Sequence, residues 1–277
     1  VWQRLGAEVT VIEMLPKIAT TLDGQVGRTL DRLLRRQGLN LRLKTRVTAA
    51  KATARQVKVS VADDAGGSED LTFDRLLVAV GRRPNSDDLG LEALGVALDD
   101  KTGHVLVDEN FQTNVPGIYA IGDLTPGPAL AHKASAEGTA AVECIAGKAG
   151  EVNYDTIPAV VYTWPEVASV GLTEEAVKAQ GIPYCVGSFP FSGAGRARCM
   201  GETDGFVKLI AHSKTDRILG VHIIGPRAAD MIAECVLALE FGASSEDIAR
   251  TVHGHPTFSE ALMEAALAVR KCSIYAS

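Results

Sequence analysis

A chain of 277 residues is long enough for one large domain or two ordinary ones, and its 46% hydrophobic and 22% charged residues suit a globular core under a mixed surface. A net charge of −6, with no Lys/Arg run beyond two residues, argues against a nucleic-acid surface. No apolar run approaches the ~20 residues that span a bilayer, and VWQRLGAEVT lacks the charged start and apolar centre of a signal peptide, so the expected compartment is the cytoplasm.

In chain order, VWQRLG reads as the last turns of a helix stopped by Gly6, and AEVTVIE (7–13) as a strand ending on an acid. This is the tail of the order found in a dinucleotide-binding unit: strand, glycine-rich turn, helix, strand, acid. A GxGxxG turn would then belong upstream of Val1. Glu13 takes the place of the acid that accepts from the ribose 2′-hydroxyl of NAD and repels the 2′-phosphate of NADP; a solvated strand end accounts for it equally well. GQVGRTLDRLLRRQ (24–37) puts Val26, Leu30, Leu33 and Leu34 at helical spacing, and Gly38 closes the helix. LRLKTRV (41–47), QVKVSVAD (56–63) and LTFD (71–74) read as strands, the last two joined by a turn at DDAGG. RLLVAVG (75–81) reads as a buried strand ending in the turn GRRPN, which completes an α/β half-domain without its first strand.

Residues 82–152 hold few long elements before GIYAIGD (117–123), a short apolar strand ending at Asp123, and the small-residue helix Ala131 to Ala146. Asp123 stands where ligands of α/β sheets collect and could accept from a polyol or ribose, though aspartate is also a common turn residue. Further on, AVVYT (159–163), VASVGLT (167–173), GFVKLIA (205–211) and ILGVHIIG (218–225) outline an antiparallel sheet. The helix at 227–241 is apolar almost all round, so it must be deeply buried or shared with a partner subunit. Helices at SSEDIART and SEALMEAALAV follow, the first with Ser244 as N-cap and Asp247 three residues on. The five cysteines, at 144, 185, 199, 235 and 272, show no CxxC or CxxxxC spacing, so neither a metal cage nor a local redox pair is expected within this chain. Cys144 and Cys235 read as small buried side chains.

HGHPTFSE (253–260) admits two readings. Thr257 and Glu260 fit a capping box, in which each satisfies the other's orphan backbone donor at the start of the last helix. Alternatively His255 moves protons while Glu260 holds its ring, leaving the second ring nitrogen to accept. The two are compatible, since a cap can position the backbone while the carboxylate faces the imidazole.

VTVIE, AVGRRPN, TNVPGIYAIGD, LAHKA, YTWPEVASVGLTEE, DGFVKLIA, GVHIIGP and HGHPTFSEALMEAAL occur in one order, and together they resemble the flavin-dependent pyridine-nucleotide disulfide oxidoreductases over essentially the whole chain. The resemblance implies an α/β and α+β fold in three parts: a partial Rossmann-like NAD domain (1–81), a central segment contacting FAD (82–152), and a dimerisation domain of antiparallel sheet plus helices (153–277). It implies NAD contacts at Glu13, Val47 and Gly81, a flavin-ribityl contact at Asp123, and flavin-ring contacts at Ala129, Leu130, Ala131 and His132. His255 matches the catalytic base, Glu260 the carboxylate that orients it, and His253 a supporting, structural histidine. HPT followed by SEA and EAA, with Glu13, points to the branch that oxidises dihydrolipoamide with NAD⁺ rather than to glutathione or mercuric reductases. The implied partners are a second copy, across whose boundary His255 reaches flavin and disulfide, and the lipoyl domain of a 2-oxo-acid dehydrogenase or glycine-cleavage complex. SGAGRAR (192–198) departs from the pattern by lacking the asparagine often found before the Ser-Arg of that loop, and Gly254 replaces a common alanine. The family's two GxGxxG turns and CxxxxC pair are absent from these residues, so the expectation is a C-terminal portion that is inactive alone and serves as a dimerisation module.

Overall fold

The computed structural model of the protein describes residues 1–275. Internal contacts divide the described residues into two compact units, residues 1–76 with 155–275, and residues 77–154. The first unit begins with β1 (Thr10–Ile12), α1 (Gly24–Arg36), β2 (Asn40–Arg42), β3 (Thr45–Ala52), β4 (Val57–Asp63) and β5 (Ser68–Phe73). The second unit holds α2 (Ala131–Ile145). The first resumes with β6 (Ala159–Val161), β7 (Glu166–Gly171), α3 (Glu174–Ala179), β8 (Tyr184–Pro190), α4 (Gly195–Met200), β9 (Phe206–His212) and β10 (Ile218–Gly225). It ends with α5 (Ala228–Glu240), α6 (Ser245–Arg250) and α7 (Glu260–Val269).

In the first unit, β1 and β2 pair in parallel, β3, β4 and β5 form an antiparallel sheet, and a five-stranded antiparallel sheet runs β6-β7-β10-β9-β8. Both faces of the five-stranded sheet are covered, and side chains alternate between them. Val207, Leu209, Val221 and Ile223 point into a core shared with α5 and α7. Phe206 and Ile224, one residue out of phase, meet Val26, Leu30 and Leu33 of α1. Those three lie on one stripe of α1, whose start is capped by Asp23 accepting from Gln25 N–H at 3.0 Å and whose end is closed by Gly38 at φ +94°. Each such fully buried aliphatic side chain contributes about 1.5–3 kcal/mol.

The last helix sits close on β8. Ala261, Leu262, Ala265 and Ala266 of α7 are buried, and a Cβ on Gly187 would lie 2.0 Å from the Ala265 carbonyl oxygen. Only glycine allows this approach, so the small residues on both sides set how closely α7 lies on β8. In the second unit, Val96, Val105 and Ala120 form one small core, and Phe111 with Ala140 and Ala141 of α2 another. Among the described residues no helix is long and apolar enough to cross a membrane.

Several elements differ from expectation. VWQRLG holds a single 3-10 turn, Gln3–Leu5, before Gly6 at φ +96°. LRLKTRV is two strands, β2 and the start of β3, broken where Lys44 takes φ +51°. RLLVAVG forms no strand, and Leu77, Val78 and Val80 are 65%, 70% and 92% exposed. An apolar run records a demand for burial without naming the partner strand, and none pairs with it among the described residues. GIYAIGD makes only a single bridge, Gln112 to Tyr119, because Gly122 at φ +71° turns the chain into the 3-10 segment Gly122–Leu124. The strand β8 and the short helices α3 and α4 have no counterpart in the sequence reading. α5 buries Ala228, Met231, Ile232 and Cys235 but leaves Leu237 exposed, so its apolar surface is covered on one side only.

Candidate active site

Residues 251–259 connect α6 to α7 and carry the histidines. The Glu260 carboxylate serves two donors: Oε2 accepts Thr257 N–H at 2.8 Å and Oε1 accepts His255 Nδ1–H at 2.8 Å. Only the glutamate half of the expected capping box is present. The Thr257 hydroxyl donates backwards to the Gly254 carbonyl at 2.7 Å, and α7 starts at Glu260 behind Ser259, whose side chain makes no cap bond. The His255 side chain is 75% exposed and that of Glu260 18%. Burial pushes the Glu260 carboxyl up, but the Thr257 amide and His255 outweigh it, with the charges of His255 and His253 adding, so it is held below the usual carboxylate range. Nδ1 committed to a carboxylate leaves Nε2 facing outward as a proton acceptor, with its orientation set by the first contact. His255 and Glu260 are thus brought together as the spacing suggested.

His253 behaves differently. Its side chain is only 5% exposed, with Nδ1 at 2.8 Å from the Thr251 carbonyl and Nε2 at 2.9 Å from Glu234 Oε1 on α5. Glu234 is a residue the sequence reading missed, because nothing local ties it to a histidine 19 positions away.

The expected NAD contacts fall in both units. Glu13 follows β1, and its backbone oxygen accepts Thr45 N–H at 3.0 Å, which brings it beside the strand that carries Val47. Its carboxylate Oε1 accepts Leu15 N–H at 2.8 Å, leaving Oε2 to take a hydroxyl. Val47 is 44% exposed at an irregularity in the β3–β4 pairing. Gly81, in the second unit, is exposed at φ +117°.

The expected flavin contacts lie in the second unit, around the start of α2. Asp123 lies in the 3-10 turn, its side chain 38% exposed and paired with Arg82 at 3.1 Å. Leu130 is the N-cap residue of α2, and Ala129, Ala131 and His132 are exposed beside it. A buried clamp holds turn and helix together. Lys133 Nζ donates to the Gly122 carbonyl at 3.0 Å and pairs with Glu137 Oε1 at 3.1 Å, while Glu137 Oε2 accepts Gly122 N–H at 2.7 Å. A Cβ on Gly122 would come 3.0 Å from that of Ala134, so the turn is packed against the helix. Tyr154 donates to Glu137 Oε1 at 2.7 Å, and burial together with that carboxylate pushes its phenol up to about 12. Lys133 and Glu137 stand at i and i+4 inside LAHKASAEG, a signal that was available; Tyr154 had none.

All five cysteines are free, Cys235 is buried with its thiol pushed up by desolvation, and no group of metal-binding side chains occurs among the described residues.

Comparison with known proteins settles the family. A family model described as pyridine nucleotide-disulphide oxidoreductase matches residues 1–138, and one for the dimerisation domain of the same family matches residues 157–266. The chain belongs to this family. Among pyridine nucleotide-disulphide oxidoreductase relatives, mitochondrial dihydrolipoyl dehydrogenase of Pisum sativum is 50% identical over 97% of this chain and 54% of its own length. Dihydrolipoamide dehydrogenase of Chaetomium thermophilum is 50% identical over 99% and 55%, and leghemoglobin reductase of Glycine max 50% over 97% and 51%. Among solved structures, LpdA from Mycobacterium tuberculosis superposes with a TM-score of 0.87 at 26% identity, covering 96% of this chain and 57% of that one. The chain spans about half the length of the curated relatives it matches.

Proposed function

We propose that this chain serves the oxidation of dihydrolipoamide by NAD⁺, with FAD between them, in a homodimer. The observation that carries the reading is the His255–Glu260 contact at 2.8 Å under a ring that is 75% exposed. A thiol of pKa ~8.5 is only a few per cent ionised near neutral pH, and the thiolate is the nucleophile. His255 Nε2 takes the proton of a dihydrolipoamide thiol while Glu260 balances the charge on the ring. The thiolate then forms a sulfur–sulfur bond with one cysteine of a redox disulfide, and the other cysteine leaves as thiolate. The spacing of this chain's five cysteines supplies no such pair, so we propose that the chain by itself folds without turnover.

The residues fit both cofactors. Asp123, held in its turn by Lys133 and Glu137, would accept ribityl hydroxyls, with Ala129, Leu130, Ala131 and His132 along the ring. Glu13 would accept the ribose diol of NAD, with Val47 on the neighbouring strand, and its charge disfavours the 2′-phosphate of NADP; Gly81 is a further NAD contact in the same proposal. Bound flavin would supply the two-electron carrier between disulfide and pyridine nucleotide. Support for the dimer comes from the dimerisation-domain match and from Leu237, Phe241 and Val252, which are 58%, 80% and 94% exposed around the histidine-bearing loop and α5. The lipoyl-domain partner, the cytoplasmic location and the functional division into 1–81, 82–152 and 153–277 belong to the same proposal.

In the full-length protein, His255→Gln is expected to lower the steady-state rate of dihydrolipoamide oxidation by at least ~10². A rate within twofold of the parent would remove His255 as the base.

A further inference from the structure

Within the loop 251–259, His253 is the buried point. Val252 on one side is 94% exposed and the His255 side chain on the other 75%, yet the His253 side chain is 5% exposed. Its two ring nitrogens meet acceptors at opposite ends, the Thr251 carbonyl at 2.8 Å and Glu234 Oε1 at 2.9 Å. The first contact folds the loop on itself; the second ties it to α5, which packs on β7 and β10. Beyond His253 the chain passes through Gly254, where an added Cβ would meet only Thr257 Cγ2 at an ordinary 3.6 Å. Of the loop's other side-chain bonds, the Thr251 hydroxyl donates to the Asp247 carbonyl of the preceding helix at 2.8 Å, while Thr257 to Gly254, Ser259 to Thr257 and the two bonds of Glu260 stay within 254–260. The His253–Glu234 hydrogen bond thus ties the loop to an element distant in sequence, while Phe258, nearer α7, packs edge-on against Phe191 at 6.2 Å.

We propose that Glu234 is a positioning residue for the reaction, acting through His253 to hold the loop so that His255 and Glu260 keep their facing geometry. This rests on His255 being the base. A carboxylate two links back from the reacting nitrogen orients without touching substrate, and loss of such outer orienting partners costs about 10–100-fold in related settings. Glutamine at 234 keeps an oxygen that can accept from His253 Nε2–H, whereas leucine keeps the packing stem and removes the acceptor.

The test uses the full-length protein with dihydrolipoamide and NAD⁺. Glu234→Leu is expected to lower kcat about tenfold, with the KM for NAD⁺ unchanged and the Tm close to wild type. Glu234→Gln is expected to restore kcat to within about threefold. Amide hydrogen exchange of residues 252–257 should speed up in the leucine variant only. A kcat for Glu234→Leu within twofold of wild type, or equal losses in the leucine and glutamine variants, overturns the proposal. His255→Gln run in parallel keeps the two ideas apart. If that variant is fully active the base reading fails, and the exchange measurement still decides whether Glu234 holds the loop. Should Glu234→Leu fold poorly, His253→Gln carries the same kinetic comparison, with retained kcat again the overturning result.

Discussion

Lys208 takes a charge into the interior of the five-stranded sheet. It is 1% exposed on β9, with Nζ at 3.0 and 2.8 Å from the two oxygens of Asp23 and 2.6 Å from Glu174 Oε2. Asp23 is 0% exposed, and besides capping α1 it accepts Glu174 N–H at 3.2 Å. Burial pushes the Asp23 carboxyl up, but the Lys208 and Glu174 bonds prevail and hold it below the usual range. A buried pair of this kind adds little over an apolar replacement of both partners, while breaking it from one side strands a charge. Lys208→Met alone is therefore expected to cost about 3–5 kcal/mol in urea unfolding, and Asp23→Asn combined with Lys208→Met to recover most of that. A double variant as unstable as the sum of the two singles would show that the pair is not coupled.

At the scale of elements, the parts written in local chemistry were the legible ones. α1 followed from its apolar spacing and Gly38. α6 followed from Ser244 and Asp247, which form a reciprocal capping box, with Asp247 N–H donating to Ser244 Oγ at 3.2 Å and Ser244 N–H to Asp247 Oδ2 at 2.7 Å. Ser244→Ala is expected to lower stability by about 1 kcal/mol, read as a shift of the denaturation midpoint at constant slope; a shift of zero would mean the cap bonds give way to water at no cost. Four strands of the main sheet were visible as β-branched runs. β8, YCVGSFP, was not, because glycine, serine and proline weaken its pattern and its place is set by the close approach of α7 at Gly187. RLLVAVG was over-read for the converse reason, a strong pattern with no strand to pair with. The site divides along the same line. His255 and Glu260 are five residues apart and could be read together, whereas Glu234 and Tyr154 act on residues 19 and 17 positions away, where only the fold supplies the meeting.

At the scale of the molecule, the shifted carboxyls share a direction, and that gives stability a pH dependence. Lys178 and Lys208 hold the Glu174 carboxyl down at about 2, and Asp23, Glu260 and Asp247 are likewise lowered. A carboxyl whose folded pKa lies below its unfolded value stabilises the fold fully above the unfolded value, and that contribution is lost as pH falls through the folded one. For Glu174 the window runs from 4.5 down to about 2. His222 acts earlier. It stands opposite Lys208 on β10, and burial pushes its imidazole below the ordinary 6.5, so the neutral ring is favoured in the fold. Its contribution is present above 6.5 and begins to drain as the unfolded chain takes up a proton below that value. The urea midpoint of the chain is therefore expected to decline gently below about pH 6.5 and steeply below about pH 4.5. Glu174→Gln should start less stable at neutral pH and show a shallower fall between pH 4.5 and 2, because glutamine has no proton to gain. Parallel curves for the two proteins across that window would place the acid sensitivity in other carboxylates and leave the Lys208 cluster without a share in it.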